Sequence, residues 1–388
     1  MKVLMLLEND YEKDLRVQRE VQALYEAGYE VIVAAITLID QSYVEKRDNC
    51  TIYKKKISPF ILKTSVGALK VPVYFNFWRR YTRDILKDYK IDAIHINDLP
   101  LSLIGIEIKN KHRAKLVIDL HENYPALIKN APHTQTFLGK ILSSNKQWTE
   151  YEQTVLSKAD GIITVIEEAR DRIINLGINP EKISIVSNTI DFENISIKTR
   201  KTGTEGFTIF YGGTINRHRG LQIVLEAIKI LKDRNIRIKL KIAGWGSYKE
   251  TLEKQAVRSG IESNVIFYGQ KPFNEMLELL SEADAAIIPH LRTENNDASS
   301  PNKLYQYMYF GKPVISSDCV SLKRIINETN TGFIYKNNSP EELTSLIEKL
   351  YFNKNILENA GKNGRKAVME KYNWNTDKKR LITAYNQL

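Results

Sequence analysis

Short apolar runs alternate with amphipathic helical stretches along nearly the whole chain, and this alternation limits the fold more than any other feature. The runs are residues 3–7, 31–36, 93–96, 116–120, 161–165 and 183–186 in the first half. In the second half they are 207–211, 238–243, 265–268, 285–288 and 314–316. Each is brief and rich in Ile, Val, Leu or Ala, as suits a parallel strand buried on both faces. Helical patterns intervene, for example at 14–27, 221–233, 248–259 and 275–281. The chain is therefore expected to be α/β, with doubly wound parallel sheets. Two sets of strands imply two such domains, over 1–188 and 207–371, joined by a polar, turn-rich linker at 189–206. A length of 388 residues is enough for two cores. Ligands of open α/β sheets bind at the carboxyl ends of the strands, so the expected site is a central cleft between facing domains.

Bulk properties narrow the class. No apolar run approaches the roughly 18–20 residues of a membrane span. The first residues, Met1 to Glu8, reach an acidic residue too soon for a secretory signal and read as a first strand. Cys50 and Cys319 are far apart, which argues against a disulfide framework. A cytoplasmic protein is expected. The net charge of +11 is uneven, for residues 51–90 carry ten basic residues against Asp84 and Asp88. Aromatic residues interleave there, including Phe60, Phe75, Phe77, Trp78 and Tyr81. Basic plus aromatic points to an anionic membrane surface, with peripheral attachment to the inner face of the cell membrane. No nucleic-acid module is recognisable, and no nucleic-acid partner is expected.

The chemistry sits in loops after strands. Residues 299–315 read as a helix built for an anion, with Ser300 as N-cap, Pro301 in the first turn and Gly311 just past the end. The amides of Asn302, Lys303 and Leu304 would face outward at the positive helix end, with the Lys303 charge beside them. The loop Gly212 to Gly220 offers close backbone approach at Gly213 and Thr214, and two cations, Arg217 and Arg219. Gly244 opens a second glycine turn. Gln270 and Lys271 lie in a third loop, where backbone groups suit a nucleobase edge. Asp297, Ala298 and Ser299 precede the anion helix. In the first half His121, Glu122 and Asn123 follow a strand, and Asp10 and Arg16 follow the first one. His121 is the best acid/base candidate. The Asp10 and Arg16 loop and the 121–123 loop form the expected acceptor side. Histidine and cysteine spacing fits no metal site, and no Walker loop or strict Gly-x-Gly-x-x-Gly follows the first strand.

Together these motifs resemble the GT-B fold glycosyltransferases, and within them the retaining group called family 4, or glycosyl transferases group 1. The segments that carry the resemblance are 159–165, 186–191, 213–220, 283–289, 300–308 and 372–374. It implies two Rossmann-like domains facing a cleft, with the C-terminal stretch 372–388 crossing back to the first. It implies an enzyme that moves a sugar from a nucleoside diphosphate sugar, UDP being the expected nucleotide, to a hydroxyl of a lipid-linked or glycan acceptor in cell-surface polysaccharide synthesis. No metal or other cofactor is expected. By position, Arg219 and Lys303 would grip the diphosphate with Gly213, Thr214, Arg217, Ser300, Asn302 and Leu304. Gly244, Gln270, Lys271 and Gln306 would hold the nucleoside. His121, Asp297, Ala298 and Ser299 would face the donor sugar. His121, Arg219 and Lys303 would be the catalytic set. The chain departs from the family pair of glutamates at Ala298 and Gln306. Two alternatives stay open here: a non-catalytic nucleotide-sugar binder, and a base-dependent enzyme such as a nucleotide-sugar epimerase.

Overall fold

A computed structural model describes residues 1–39, 41–131, 134, 136–193, 195 and 206–388. The chain divides into two compact units. Unit 1 comprises Met1–Ser187 and Asp377–Leu388, and unit 2 comprises Asn188–Thr376. Most of the linker expected at 189–206 lies outside the described residues.

Unit 1 holds an eight-stranded sheet of β1 (Lys2–Leu7), β2 (Glu30–Thr37), β3 (Tyr43–Lys46), β4 (Thr51–Lys56), β5 (Ala93–Asn97), β6 (Lys115–Leu120), β7 (Gly161–Thr164) and β8 (Ile183–Ile185). Their order is β3-β4-β2-β1-β5-β6-β7-β8. Only the β3–β4 pair is antiparallel. The order reverses between β1 and β5, which opens a crevice where their carboxyl ends diverge. Leu4, Leu6, Ile94, Ile96, Leu116 and Ile118 are fully buried in the sheet, as the apolar runs predict.

Unit 2 holds a six-stranded, all-parallel sheet of β9 (Phe207–Gly212), β10 (Ile238–Ala243), β11 (Val265–Gly269), β12 (Ala285–Ile288), β13 (Val314–Ser317) and β14 (Gly332–Tyr335). The order is β11-β10-β9-β12-β13-β14, with the reversal between β9 and β12.

Two differences from the sequence reading matter. The strands β3, β4 and β14 are not among the expected runs. β4 reads Thr-Ile-Tyr-Lys-Lys-Lys, too basic for a core strand, yet its Lys54 is buried because Asp10 meets it at 2.8 Å. The aromatics of residues 51–90 also divide. Tyr74, Phe75, Trp78 and Tyr81 pack into the unit 1 core, whereas Phe60 is exposed. Lys56, Lys63, Lys70, Arg80, Arg83, Lys87 and Lys90 remain on the surface.

Candidate functional site

In unit 2 the loops after β9, β10 and β11 are zipped together beyond the strand ends. Gly213 donates to the Ala243 carbonyl at 2.9 Å, Ile215 to Trp245 at 3.0 Å and Gly244 to Gly269 at 2.8 Å. They enclose a cavity of about 250 Å³ lined by Gly213, Thr214, Gly244, Trp245, Gln270 and Met276, with Lys271 on its wall. Five of the expected binding residues thus meet in one place. Trp245 and Met276 were not expected. A tryptophan between two glycines has no periodic signature, but its 69% exposure marks it as unusual for so large an apolar ring.

The helix Asn302–Tyr309 approaches the same loop from β12's side of the reversal. Its Lys303 Nζ lies 4.1 Å from the centre of the Tyr211 ring and directly behind Gly213, where a Cβ would sit 2.8 Å away. This amino group is buried and meets no hydrogen-bond acceptor among the described residues. Burial, then the nearby Arg219 charge, hold Lys303 well below the usual lysine range. Arg219 donates through Nη1 to His290 Nε2 at 3.1 Å, while its Nε is buried without a partner among the described residues. Burial, followed by Lys303 and Arg219, holds His290 well below its ordinary value, so it is a neutral acceptor for Arg219. His290 is a third residue the sequence did not single out. Two basic side chains with unmet donors, Lys303 and Arg219, therefore converge at the β9/β12 reversal, where an anion would satisfy both and favour the protonated lysine.

The helix itself starts differently from expectation. Pro301 occupies the N-cap and makes no side-chain cap. The Ser300 hydroxyl instead pairs with Tyr305 OH at 2.8 Å, a partner one turn in that competes with the backbone amides. The Leu304 amide donates to the Pro301 carbonyl at 3.0 Å, so it does not point outward. Asn302 is exposed at the helix start and Arg217 is exposed in the loop. The helix end follows the sequence reading. Gly311 has φ of 65°, and the amides of Gly311 and Lys312 close onto Met308 and Tyr307. Gln306 is half-buried on this helix and Ala298 is buried before it. The Asp297 carboxylate is held by Arg292 at 3.1 Å and by the Val320 amide at 3.1 Å. The Ser299 hydroxyl donates to Asn296.

In unit 1 the carboxyl ends of β1, β5 and β6 bring Glu8, Asp98 and His121 to the reversal. His121 Nε2 bonds Asp119 Oδ2 at 3.0 Å and its Nδ1 lies 3.4 Å from Asp98 Oδ2. Burial pulls His121 down, but Asp98 and Asp119 outweigh it and raise the ring to about 10. A histidine that keeps its proton at neutral pH is poorly suited to act as a base.

Arg16 is not on an acceptor surface. Its guanidinium is buried, spent on Asp119 at 2.9 Å, Glu20 at 3.0 Å and the Val186 carbonyl at 3.0 Å. Asp10 is likewise committed to Lys54, and Asn123 caps the helix Tyr124–Asn130 through the Ala126 amide. Sequence shows these charges but not the partners that reach them from distant segments. Glu122 is exposed. Glu20, His95 and Asp119 each offer a ligand atom within 4.8 Å of the others, a spacing that suits a metal. Arg16 already contacts both carboxylates, so a cation of the chain itself fills that role.

Comparison with known proteins agrees with this geometry. Residues 191–367 match the model for glycosyl transferases group 1, and residues 16–194 match that for Glycosyltransferase Family 4. The chain is 25% identical over 331 residues to uncharacterized glycosyltransferase MJ1069 of Methanocaldococcus jannaschii, covering 82% of this chain and 81% of the relative. It is 26% identical over 180 residues to the amylovoran biosynthesis glycosyltransferase AmsK of Erwinia amylovora, covering 46% of this chain and 44% of that one. Its fold matches Anabaena Alr3699/HepE in complex with UDP, with a TM-score of 0.72 at 14% identity and full coverage of both chains. Two α/β units with parallel sheets, and two family matches that together run from residue 16 to residue 367, lead to one conclusion: the chain belongs to the GT-B fold glycosyltransferases of the group 1, family 4 type.

Proposed function

We propose that this chain transfers a sugar from a UDP-sugar to a hydroxyl of a lipid-linked or glycan acceptor, with retention of configuration, in the assembly of a cell-surface polysaccharide. The observation that carries this reading is the pair Lys303 and Arg219, with buried, unmet donors at the β9/β12 reversal. A diphosphate supplies the acceptor oxygens that both need. The 250 Å³ cavity beside them, walled by Trp245, Gln270 and Lys271, suits the attached nucleoside. UDP is favoured because HepE is described in complex with it. A polysaccharide product is favoured by the name of AmsK. Retention rests on the family resemblance.

In this reading unit 2 binds the donor and unit 1 the acceptor. Charge develops on the departing diphosphate, and Lys303 and Arg219 stabilise it where it forms. The leaving phosphate oxygen takes the acceptor's proton, so no side-chain base is needed. The base-dependent alternative loses support, since His121 keeps its proton up to about pH 10.

A thermal-shift screen over nucleotides and nucleotide sugars tests the donor. UDP and one UDP-sugar are expected to raise the melting temperature by several degrees, because they bind only the folded state. No response to any nucleotide diphosphate would overturn the reading. Turnover is expected to survive EDTA, since two side-chain cations meet the phosphate charge. An EDTA-inactivated enzyme restored by a divalent ion would count against that part.

We also propose peripheral membrane attachment through the exposed basic residues of 56–90 and the neighbouring Phe60, Val71 and Val73. Among the described residues no helix is long and apolar enough to cross a membrane. Flotation with phosphatidylglycerol vesicles is expected to carry the protein at low salt and release it at high salt. Equal recovery with neutral phosphatidylcholine vesicles would remove the electrostatic argument.

A further inference from the structure

A cavity of about 280 Å³ opens in unit 1 between the helices Val73–Ile85 and Ser102–His112. Helical spacing builds it. On the first helix Arg79 and Arg83 stand four residues apart, and Lys87 continues the stripe just beyond the helix end. On the second, Ile104, Ile108 and Lys111 form the facing stripe, with Glu107 beside them. Each helix leads to the start of a strand, the first to β5 and the second to β6. Lys87, Lys111 and His112 therefore lie toward the amino edge of the sheet, whereas the crevice of unit 1 lies at the carboxyl edge.

The lining joins aliphatic carbon to positive charge. Ile104 and Ile108 are buried and, with the half-buried Leu86, form a floor that reaches down to the core. Four basic side chains surround it against one carboxylate, that of Glu107. Arg79 spends its guanidinium on that carboxylate, in two bonds of 2.8 and 2.7 Å. Lys87 is shared with Asp84 at 3.0 Å. Arg83 and Lys111 are exposed and form no ion pair among the described residues. The last turn of a helix favours cations, which accounts for basic residues at this place. It does not account for an aliphatic floor left open beneath them.

We propose that this cavity binds a single anionic phospholipid, with the phosphate between Arg83 and Lys111 and the first carbons of a chain on Leu86, Ile104 and Ile108. Charge complementarity selects the phosphate, whose oxygens accept hydrogen bonds from both side chains. The floor selects a chain attached to it, since each methylene withdrawn from water strengthens binding about fourfold. The volume is near the lower end of small-ligand sites, roughly 300 Å³, so the cavity takes the phosphate and the start of a chain and leaves the rest in the bilayer. The lipid is an anchor here and no bond is made or broken. The choice of a lipid as the source of the phosphate rests on the peripheral attachment proposed above; the cavity and its charge do not. A diffuse basic surface responds to total charge, whereas a site saturates and needs phosphate and chain on one molecule.

The test is calorimetric titration of the full chain with dihexanoylphosphatidylglycerol below its micelle concentration. Saturation at one lipid per chain is expected. Glycerol 3-phosphate has the charge without the chain, and dihexanoylphosphatidylcholine has the chain without net charge. Each is expected to bind at least about 10-fold more weakly. The double variant Arg83→Gln, Lys111→Gln should weaken phosphatidylglycerol binding at least about 10-fold. Both positions are exposed, so its melting temperature should match the wild type. Lys63→Gln with Arg80→Gln removes the same charge from exposed positions outside the cavity. That control should stay within about twofold of the wild type, because salt screens distant charges. No saturation, or equal loss in the two double variants, overturns the site. Glycerol 3-phosphate bound as tightly as the lipid overturns the lipid as its occupant. Vesicle flotation judges the attachment separately. Lipid binding without flotation keeps the site and removes the attachment; flotation without short-chain lipid binding removes the site and keeps the attachment.

Discussion

Replacing Lys303 with methionine is expected to raise the melting temperature of the ligand-free protein while removing most of its turnover. The two effects have one cause. Lys303 Nζ is buried with no acceptor among the described residues, and the Tyr211 ring and Gly213 lie against it. Burial, then Arg219, hold its pKa well below the ordinary value. Unfolded, the same lysine titrates near about 10.4. Between these limits the unfolded chain binds more protons than the folded one, so stability rises with pH through that window. At neutral pH the residue is thus a standing cost. Methionine fills similar space without a charge to desolvate, and should recover on the order of 1–3 kcal/mol. The melting temperature of the variant should also lose part of its rise between neutral and alkaline pH. Donor binding should show the opposite pattern. A diphosphate favours the protonated lysine, so UDP binding should take up a proton near neutral pH, measurable by calorimetry in buffers of different ionisation enthalpy. The variant should lose that uptake and about 10²–10³ in kcat/KM. A variant that melts lower and still responds fully to UDP would identify Lys303 as a packing residue.

The same residue illustrates what the sequence could tell. Lys303 and Arg219 were legible because each lies in a strand–loop–helix setting, which places them at strand ends whatever the details of packing. Gly213, Thr214, Gly244, Gln270 and Lys271 were legible for the same reason, and they line one cavity. The strands of the core were legible because apolar runs bounded by turns have few other uses. Local pattern fails where the partner is remote. Arg16 reads as a charged loop residue, but Asp119, 103 positions away, draws it inside. Lys54 reads as surface until Asp10 neutralises it. His290 and Asp98 follow strands without a motif, and only the sheet order shows that each flanks a reversal. Ser300 has the right identity for a helix cap, yet Tyr305 offers its hydroxyl a better-placed partner.

Gly220→Ala is expected to damage the donor site far more than its single added methyl suggests. Gly220 has φ of 75° and stands between Arg219 and the helix Leu221–Asp233. A Cβ built there falls 1.7 Å from the Pro289 carbonyl oxygen, well inside contact distance. That carbonyl cannot simply retreat. Pro289 leads into His290, which receives Arg219, and Leu291 donates to the His218 carbonyl at 2.9 Å. Relief of the clash therefore separates the loop after β9 from the end of β12, and Arg219 moves with the loop. The expected loss is about 2–4 kcal/mol of stability, from backbone strain and clash together. The surviving folded protein should bind UDP more weakly and lose at least about 10²-fold in kcat/KM, since displacement of a charge by an ångström has that effect. Gly260→Ala is the matched control: its φ is 63°, and nothing lies within 4 Å of its would-be Cβ. That variant should show only the conformational cost of roughly 1–2 kcal/mol, with its UDP response intact. Equal UDP responses in the two variants would mean that the Gly220–Pro289 contact does not aim Arg219. A Gly220→Ala protein that folds but fails to respond to UDP would tie the anion site to that contact.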